Sequence, residues 1–333
     1  MTPRERVLAR LSGKPVDRIP NFNILMAFAA RFSGVGMDAF CRDHRVLVDA
    51  NIKANEAFGI DLLNTMSDPY REMADYGAAI RFPHDSLPVC DHFISEPSDL
   101  KKLKPFQIEN SVRMLDRLHA IELYKRDAGN HWPIMGWVEG CVAESADLMG
   151  LTELIFAFHD EPGMVREMMD ICLETAINCI EPMVRAGADI IGVGDAVASV
   201  LGPAMYKEWI LPYEQKLLAE IRRCGAIGRL HICGNIQPLL DDLQHAGADI
   251  IDIDWMVDFG EARKKLPGET IICGNFDPVS IVRDGTPESV ETAVHACCEA
   301  GGDTCIIMAG CEIPRDTPHE NLRAVAEALQ KRA

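Results

Sequence analysis

The chain has 333 residues, 48% of them hydrophobic, and a formal net charge of -18; this length suits one α/β barrel with extensions, so residues 1–333 are read as a single domain. The acidic balance excludes nucleic acid or an anionic membrane as a partner held through a basic surface. No apolar run approaches the roughly 18 residues of a membrane span, and the twelve cysteines lack the spacing of a secreted disulfide framework, so a reducing, cytoplasmic setting is expected, with most thiols acting as small buried hydrophobes.

Residues Thr2 to Leu11 read as a short helix, not a signal peptide, with Thr2 as cap and Pro3 in the first turn. Asn21 to Leu25 is a first strand, Arg45 to Phe58 a helix and Asp61 to Thr65 a second strand running into a loop at Asp68 and Pro69. Ala78 to Phe82 and Val89 to Ile94 alternate like a hairpin inserted on that loop, near a barrel mouth. Asn110 to Asp127 is helical, Pro133 to Val138 is a strand ending at Glu139, and two helices follow, Leu151 to Phe158 and Glu161 to Arg185. The chain then repeats one design around Gly187, Gly247 and Gly301: the end of a helix, a capping glycine and an apolar strand. Two more strands, Gly228 to Cys233 and Thr270 to Gly274, fall between these units. Strands separated by helices demand parallel pairing with right-handed crossovers. Regular units and the lack of a glycine-rich dinucleotide turn favour a (β/α)8 barrel with an N-terminal extension over an open doubly wound sheet.

In such a barrel the active site forms where strands end. Those ends carry Glu139, Asp195, His231 with Cys233, Asp252 with Asp254, Cys273 with Asn275 and Asp277, and Cys311 with Glu312. His231 and Cys233, two residues apart, leave one face of a strand, and a thiolate from Cys311 completes the ligand set that borderline-soft Zn2+ prefers, with a fourth position open. Each member also has a structural reading. Cys273 suits a buried small hydrophobe, Asn275 and Asp277 suit a turn, and Asp68 is an ordinary residue before a proline. Asp195, Asp252 and Asp254 fit carboxylates held at helix amino ends.

Taken together, these segments resemble the uroporphyrinogen decarboxylase superfamily of (β/α)8 barrels. The resemblance is carried by Arg18 to Pro20, Ser67-Asp68, Gly136 to Gly140, Gly194 to Ser199, His231 to Asn235, Asp254-Trp255, Gly274 to Pro278 and Thr317 to Asn321. Its decarboxylase branch uses N-terminal arginines to hold porphyrinogen carboxylates, and here only Arg31 remains in that stretch. The second branch, the corrinoid-dependent methyltransferases, carries His-x-Cys and a distant Cys as zinc ligands, matched by His231, Cys233 and Cys311. That resemblance implies Zn2+, a corrinoid carried by a separate partner protein, and a small methyl donor or thiol acceptor. It places Asp254 where an acidic residue completes the zinc shell when substrate is absent. Asp195 and Asn235 are the further catalytic candidates, and Glu139, Asp68, Gln237 and Asn275 the substrate-binding ones. Metal-free decarboxylation is the alternative.

Overall fold

Apolar, largely β-branched runs form seven parallel strands hydrogen-bonded in chain order: β1 (Leu63–Asn64), β2 (Ile134–Glu139), β3 (Ile190–Gly194), β4 (Ile227–His231), β5 (Ile250–Ile253), β6 (Ile271–Phe276) and β7 (Ile306–Ala309). The structure, a computed structural model, describes residues 1–266 and 268–331. Alternation along each strand divides the apolar side chains between two cores. Met135, Trp137, Ile190, Ile250, Ile271, Ile306 and Met308 fill the inner face of the curled sheet. Val138, Ile191, Val193, Leu230, Ile251 and Ile272 face the surrounding helices. The architecture is that of a TIM-barrel-like α/β fold.

Several expected elements are shorter than their sequence patterns suggest. Asn21 to Leu25 reduces to one parallel bridge between Asn21 and Ile307 of β7, because Pro20 precedes it and Leu25 already leads into the helix Met26–Phe32. On its other side the Asn21 carbonyl accepts from Asp61 N–H at 2.8 Å. The fully buried Asp61 also accepts from Asn21 N–H at 2.7 Å and pairs with Arg6 and Arg18 at 2.8 and 2.6 Å, so residues at the amino end tie together what lies beside β7 and β1. The expected hairpin is likewise a single bridge, Arg81 with Val89. Pro83 and Pro88 flank it and cannot donate to a longer ladder.

The helix opening the chain spans Pro3–Leu11, with Thr2 capping Glu5 N–H as expected. The repeated glycines behave unequally. Gly187 ends the helix Pro162–Ala186 with φ 120°, whereas Gly301 is the last residue of the helix Pro287–Gly301 and Gly302, at φ 66°, takes the capping role. Gly247, also at positive φ, lies beyond the short helix Leu240–Leu243. β4 stops at His231, so Cys233 stands in the loop that follows instead of in the strand. No described helix is long and apolar enough to cross a membrane.

Candidate metal centre

Strand register sets one level of the inner face: Glu139 pairs across to Gly194, Gly194 to His231, His231 to Asp252 and Asp252 to Cys273. His231 is buried, and its Nδ1 lies 2.7 Å from Asp252 Oδ2. Arg229, two residues back on the same face, reaches the same carboxylate at 2.9 Å. With Nδ1 held by Asp252, the imidazole turns Nε2 toward Cys311 Sγ, 4.0 Å away. Cys311 follows β7 and Cys233 follows β4, and the ligand atoms of His231, Cys233 and Cys311 all lie within 4.8 Å of one another. Donors around a tetrahedral zinc sit about 3.5–3.8 Å apart, so sub-ångström adjustment of the side chains closes the set. One nitrogen and two sulfurs, with a carboxylate on the far ring nitrogen, is the donor chemistry of a borderline-soft metal ion.

The protonation pattern of these groups follows from their mutual contacts. Burial opposes charge on His231, but Asp252 and Cys311 outweigh it and raise the imidazole to about 10. A hydrogen bond from Cys311 lowers Cys233 against the opposing effects of burial, Asp254 and Glu139. The same bond, with burial, pushes Cys311 up.

Trp137 and Glu139 point to the inner face as neighbours at i and i+2. Trp137 Nε1–H donates to Glu139 Oε1 at 2.8 Å, and its ring centroid is 6.0 Å from that of His231. The indole lies over β3 because that strand has no side chains there: a Cβ at Gly192 or Gly194 would come within 2.3 or 2.4 Å of the ring. The backbone of β2 is finished by side chains. The β1 ladder reaches Met135 O, where Thr65 N–H donates at 3.2 Å; beyond it Arg117 donates to Trp137 O at 2.8 Å and Glu72 accepts from Glu139 N–H at 3.1 Å. Burial, reinforced by Glu72 and Asp147, pushes the Glu139 carboxyl well above the usual range.

Sequence comparison identifies relatives of the whole chain. The family model for uroporphyrinogen decarboxylase (URO-D) matches residues 2–332. The chain belongs to the URO-D family. A methylcobamide:CoM methyltransferase, MtbA, of Methanosarcina mazei is 28% identical over 99% of this chain and 98% of its own. A uroporphyrinogen decarboxylase of Geotalea uraniireducens is 26% identical over 98% of both chains. Among solved structures, a methyltransferase from Methanosarcina mazei superposes with a TM-score of 0.90 at 22% identity, covering 99% of each chain.

Within this URO-D chain the remaining expected site residues scatter. Asp254 does not join the ligand group: its oxygens accept from Gly234 N–H at 2.6 Å and Trp255 N–H at 2.7 Å, and Gly310 packs so closely that a Cβ there would meet Oδ1 at 2.0 Å. Asp195, one residue past β3, is fully buried, away from the inner face. Its Oδ1 accepts from Ala143 N–H at 2.9 Å in the first turn of the helix Cys141–Met149, and burial lifts it to about 7. Asp68 is bound by Arg113 at 2.7 Å. Asn275 donates to Val257 O at 2.8 Å and more weakly to Asp254 O, and Asp277 caps the turn beginning at Pro278. Cys273 is fully buried. Asn235 is exposed and Gln237 half-buried in the loop after β4, where Asn235 Oδ1 accepts from Gln237 N–H at 3.1 Å. The structural readings of Asp195, Asp68, Asn275, Asp277 and Cys273 describe their contacts. Trp137 and Arg229 escaped the sequence reading; the alternation of Trp137 with Glu139, opposite the pair Gly192 and Gly194, is the signal that marks the first of them.

Proposed function

We propose that this URO-D family chain is a zinc-dependent methyltransferase that moves a methyl group between the cobalt of a corrinoid, carried by a separate protein, and a small substrate. The observation that carries the reading is the convergence of His231, Cys233 and Cys311 within 4.8 Å from segments far apart in sequence. The relatives named as methylcobamide:CoM methyltransferases support it. The bridge at Asn21 supports reading the sheet as one closed (β/α)8 barrel, with the Arg81 to Val89 excursion lying over its rim. Twelve free cysteines are in keeping with a reducing cytoplasm.

His231, Cys233 and Cys311 would hold the zinc. Bound there, the ion would lower the pKa of a coordinated thiol so that its proton is lost to solvent at neutral pH while the sulfur stays nucleophilic, or would polarise the O, N or S of a methyl donor. Asp252 holds the His231 ring by its other nitrogen, and Arg229 balances the charge of Asp252. Asp254 ties the Gly234 turn to β5 and so positions Cys233; Asp195 positions the helix after β2. Asn235 and Gln237 stand on the rim, where they would meet the substrate or its carrier. Trp255 and Met256, exposed beside Asp254, offer the partner protein an apolar contact at the same rim.

Metal-free decarboxylation is the second reading, favoured by relatives named as uroporphyrinogen decarboxylases. Against it, Asp68 is already paired with Arg113 and Arg31, the one arginine of the N-terminal stretch from Phe22 to Arg31, pairs with Asp316, so that stretch offers no set of free arginines for many carboxylates. Elemental analysis of the purified protein should give about one zinc per chain, and free methylcobalamin or cob(I)alamin with a panel of thiols and methyl donors should show transfer. An active but metal-free enzyme, or one that releases coproporphyrinogen from uroporphyrinogen, overturns the proposal.

A further inference from the structure

The three arginines of the helix that opens the chain have unlike surroundings. Arg4 pairs with Asp189 at 2.6 Å, and Arg6 pairs with Asp17 and Asp61 at 2.6 and 2.8 Å. Arg10, one turn further on and only 8% exposed, meets no carboxylate within ion-pair distance among the described residues, and its buried Nε–H has no acceptor. Burial lowers its pKa, and the opposing pull of Cys305, Asp303 and Cys298 does not reverse the shift. A chain with 51 acidic and 33 basic residues has carboxylates to spare. A guanidinium buried without one costs stability that a bound anion would restore.

Arg10 borders a cavity of about 410 Å³ that also takes in Lys14, Pro15, Val16, Asp303 and Thr304, a size within the usual range for small-molecule sites. One wall is the end of the first helix with the turn after it, and the other is the turn Gly302–Thr304 that leads into β7. The cavity therefore lies at the amino end of β7, whereas Cys311 follows its carboxyl end, so an occupant is remote from the three candidate metal ligands. The carbonyls of Leu8, Ala9 and Arg10, which would otherwise turn an anion away from a helix end, already accept from the amides of Ser12, Gly13 and Lys14. Arg10 and the exposed Lys14 bring two positive charges, one of them a planar fork, which suits the doubly charged oxygens of a phosphate. Asp303 disfavours a second anionic group and offers an acceptor to a hydroxyl.

We propose that this cavity binds a small hydroxylated phosphate ester, with Arg10 and Lys14 on the phosphate and Asp303 on a hydroxyl group. The full-length protein in phosphate-free buffer is titrated calorimetrically with glycerol 3-phosphate and with inorganic phosphate, and its thermal unfolding is followed with each. Glycerol 3-phosphate should bind one per chain and raise the unfolding midpoint. R10M should bind it at least about tenfold more weakly and K14Q about threefold more weakly. Without phosphate R10M should be at least as stable as the unaltered protein, because it has no buried charge to desolvate. An ester bound at least about tenfold more tightly than inorganic phosphate supports the part of Asp303 and the body of the ligand; equal affinity overturns the ester and leaves the free ion as occupant. Failure of both to bind at millimolar concentration overturns the site. So does undiminished binding by K14Q and a folded R10M, or a midpoint raised as much by potassium chloride at the same ionic strength, which would reduce the effect to screening of the acidic surface.

Discussion

Asp252 separates orientation from coordination at the scale of the residue. It touches the far nitrogen of His231 and supplies no ligand atom to the group of three, so Asp252→Asn should weaken zinc about 10–100-fold without removing it, as read by competition with a chromophoric chelator. Cys311→Ala should abolish retention in the same assay, whereas Cys273→Ala should leave the metal and cost on the order of 1 kcal/mol as a packing change. A metal bound here must displace a proton from His231, which Asp252 and Cys311 raise to about 10 against burial, and one from the raised Cys311 thiol, so affinity should climb as pH rises through neutrality. Asp68 behaves in the opposite, structural way. Burial raises it, but Arg113 and Ser67 prevail and hold it at about 2, below the roughly 3.9 of an unfolded aspartate. Its stabilisation is complete above that unfolded value and is lost as pH falls through about 2. The three candidate ligands were legible as a group because an imidazole and two thiols are the donor types a metal takes wherever a fold brings them together. The parts of Asp252 and Arg229 were not, because they arise from the register of β4 against β5, which no local pattern states.

Short elements do more here than their length suggests. Asp61 joins Arg6, Arg18 and the Asn21 amide in a buried knot that places the amino-terminal segment between β7 and β1. Asp61→Ala leaves Arg18 without its carboxylate and Arg6 with Asp17 alone, and should cost about 3 kcal/mol, measured by denaturant unfolding. Gly194→Ala should displace the Trp137 ring that a Cβ would meet at 2.4 Å, changing tryptophan fluorescence while the three metal ligands remain. The parallel strands were legible as elements, since apolar runs flanked by glycines and helices admit little else. Their ends were not. Hydrophobic alternation continues past the last ladder bond, so the pattern carries the strand to Cys233 whereas the ladder stops at His231. Prolines shorten the hairpin to one bridge; the helix Met26–Phe32 overlaps the stretch Phe22 to Arg31, whose signal is its single arginine, and Met37–Arg42 falls where the sequence pattern predicts no element.

At the scale of the whole molecule, the inner and outer cores follow from one alternating pattern, and the carboxyl ends of the strands collect at a single rim. This is why the order of βα units sufficed to anticipate that His231, Cys233 and Cys311 meet, without any knowledge of crossing angles. Trp255 and Met256 lie exposed on that rim. Trp255→Ala should slow transfer from a protein-bound corrinoid much more than transfer from free methylcobalamin, and equal slowing would remove the rim from partner recognition. The wall between β1 and β2 is, above Met135, sewn with side chains instead of woven from backbone. A stitch of that kind lets go one thread at a time, and the amide it secures belongs to Glu139. A change at Glu72, on the helix Arg71–Asp75, would free the Glu139 amide and let that carboxyl group move relative to His231 without touching any of the three candidate ligands.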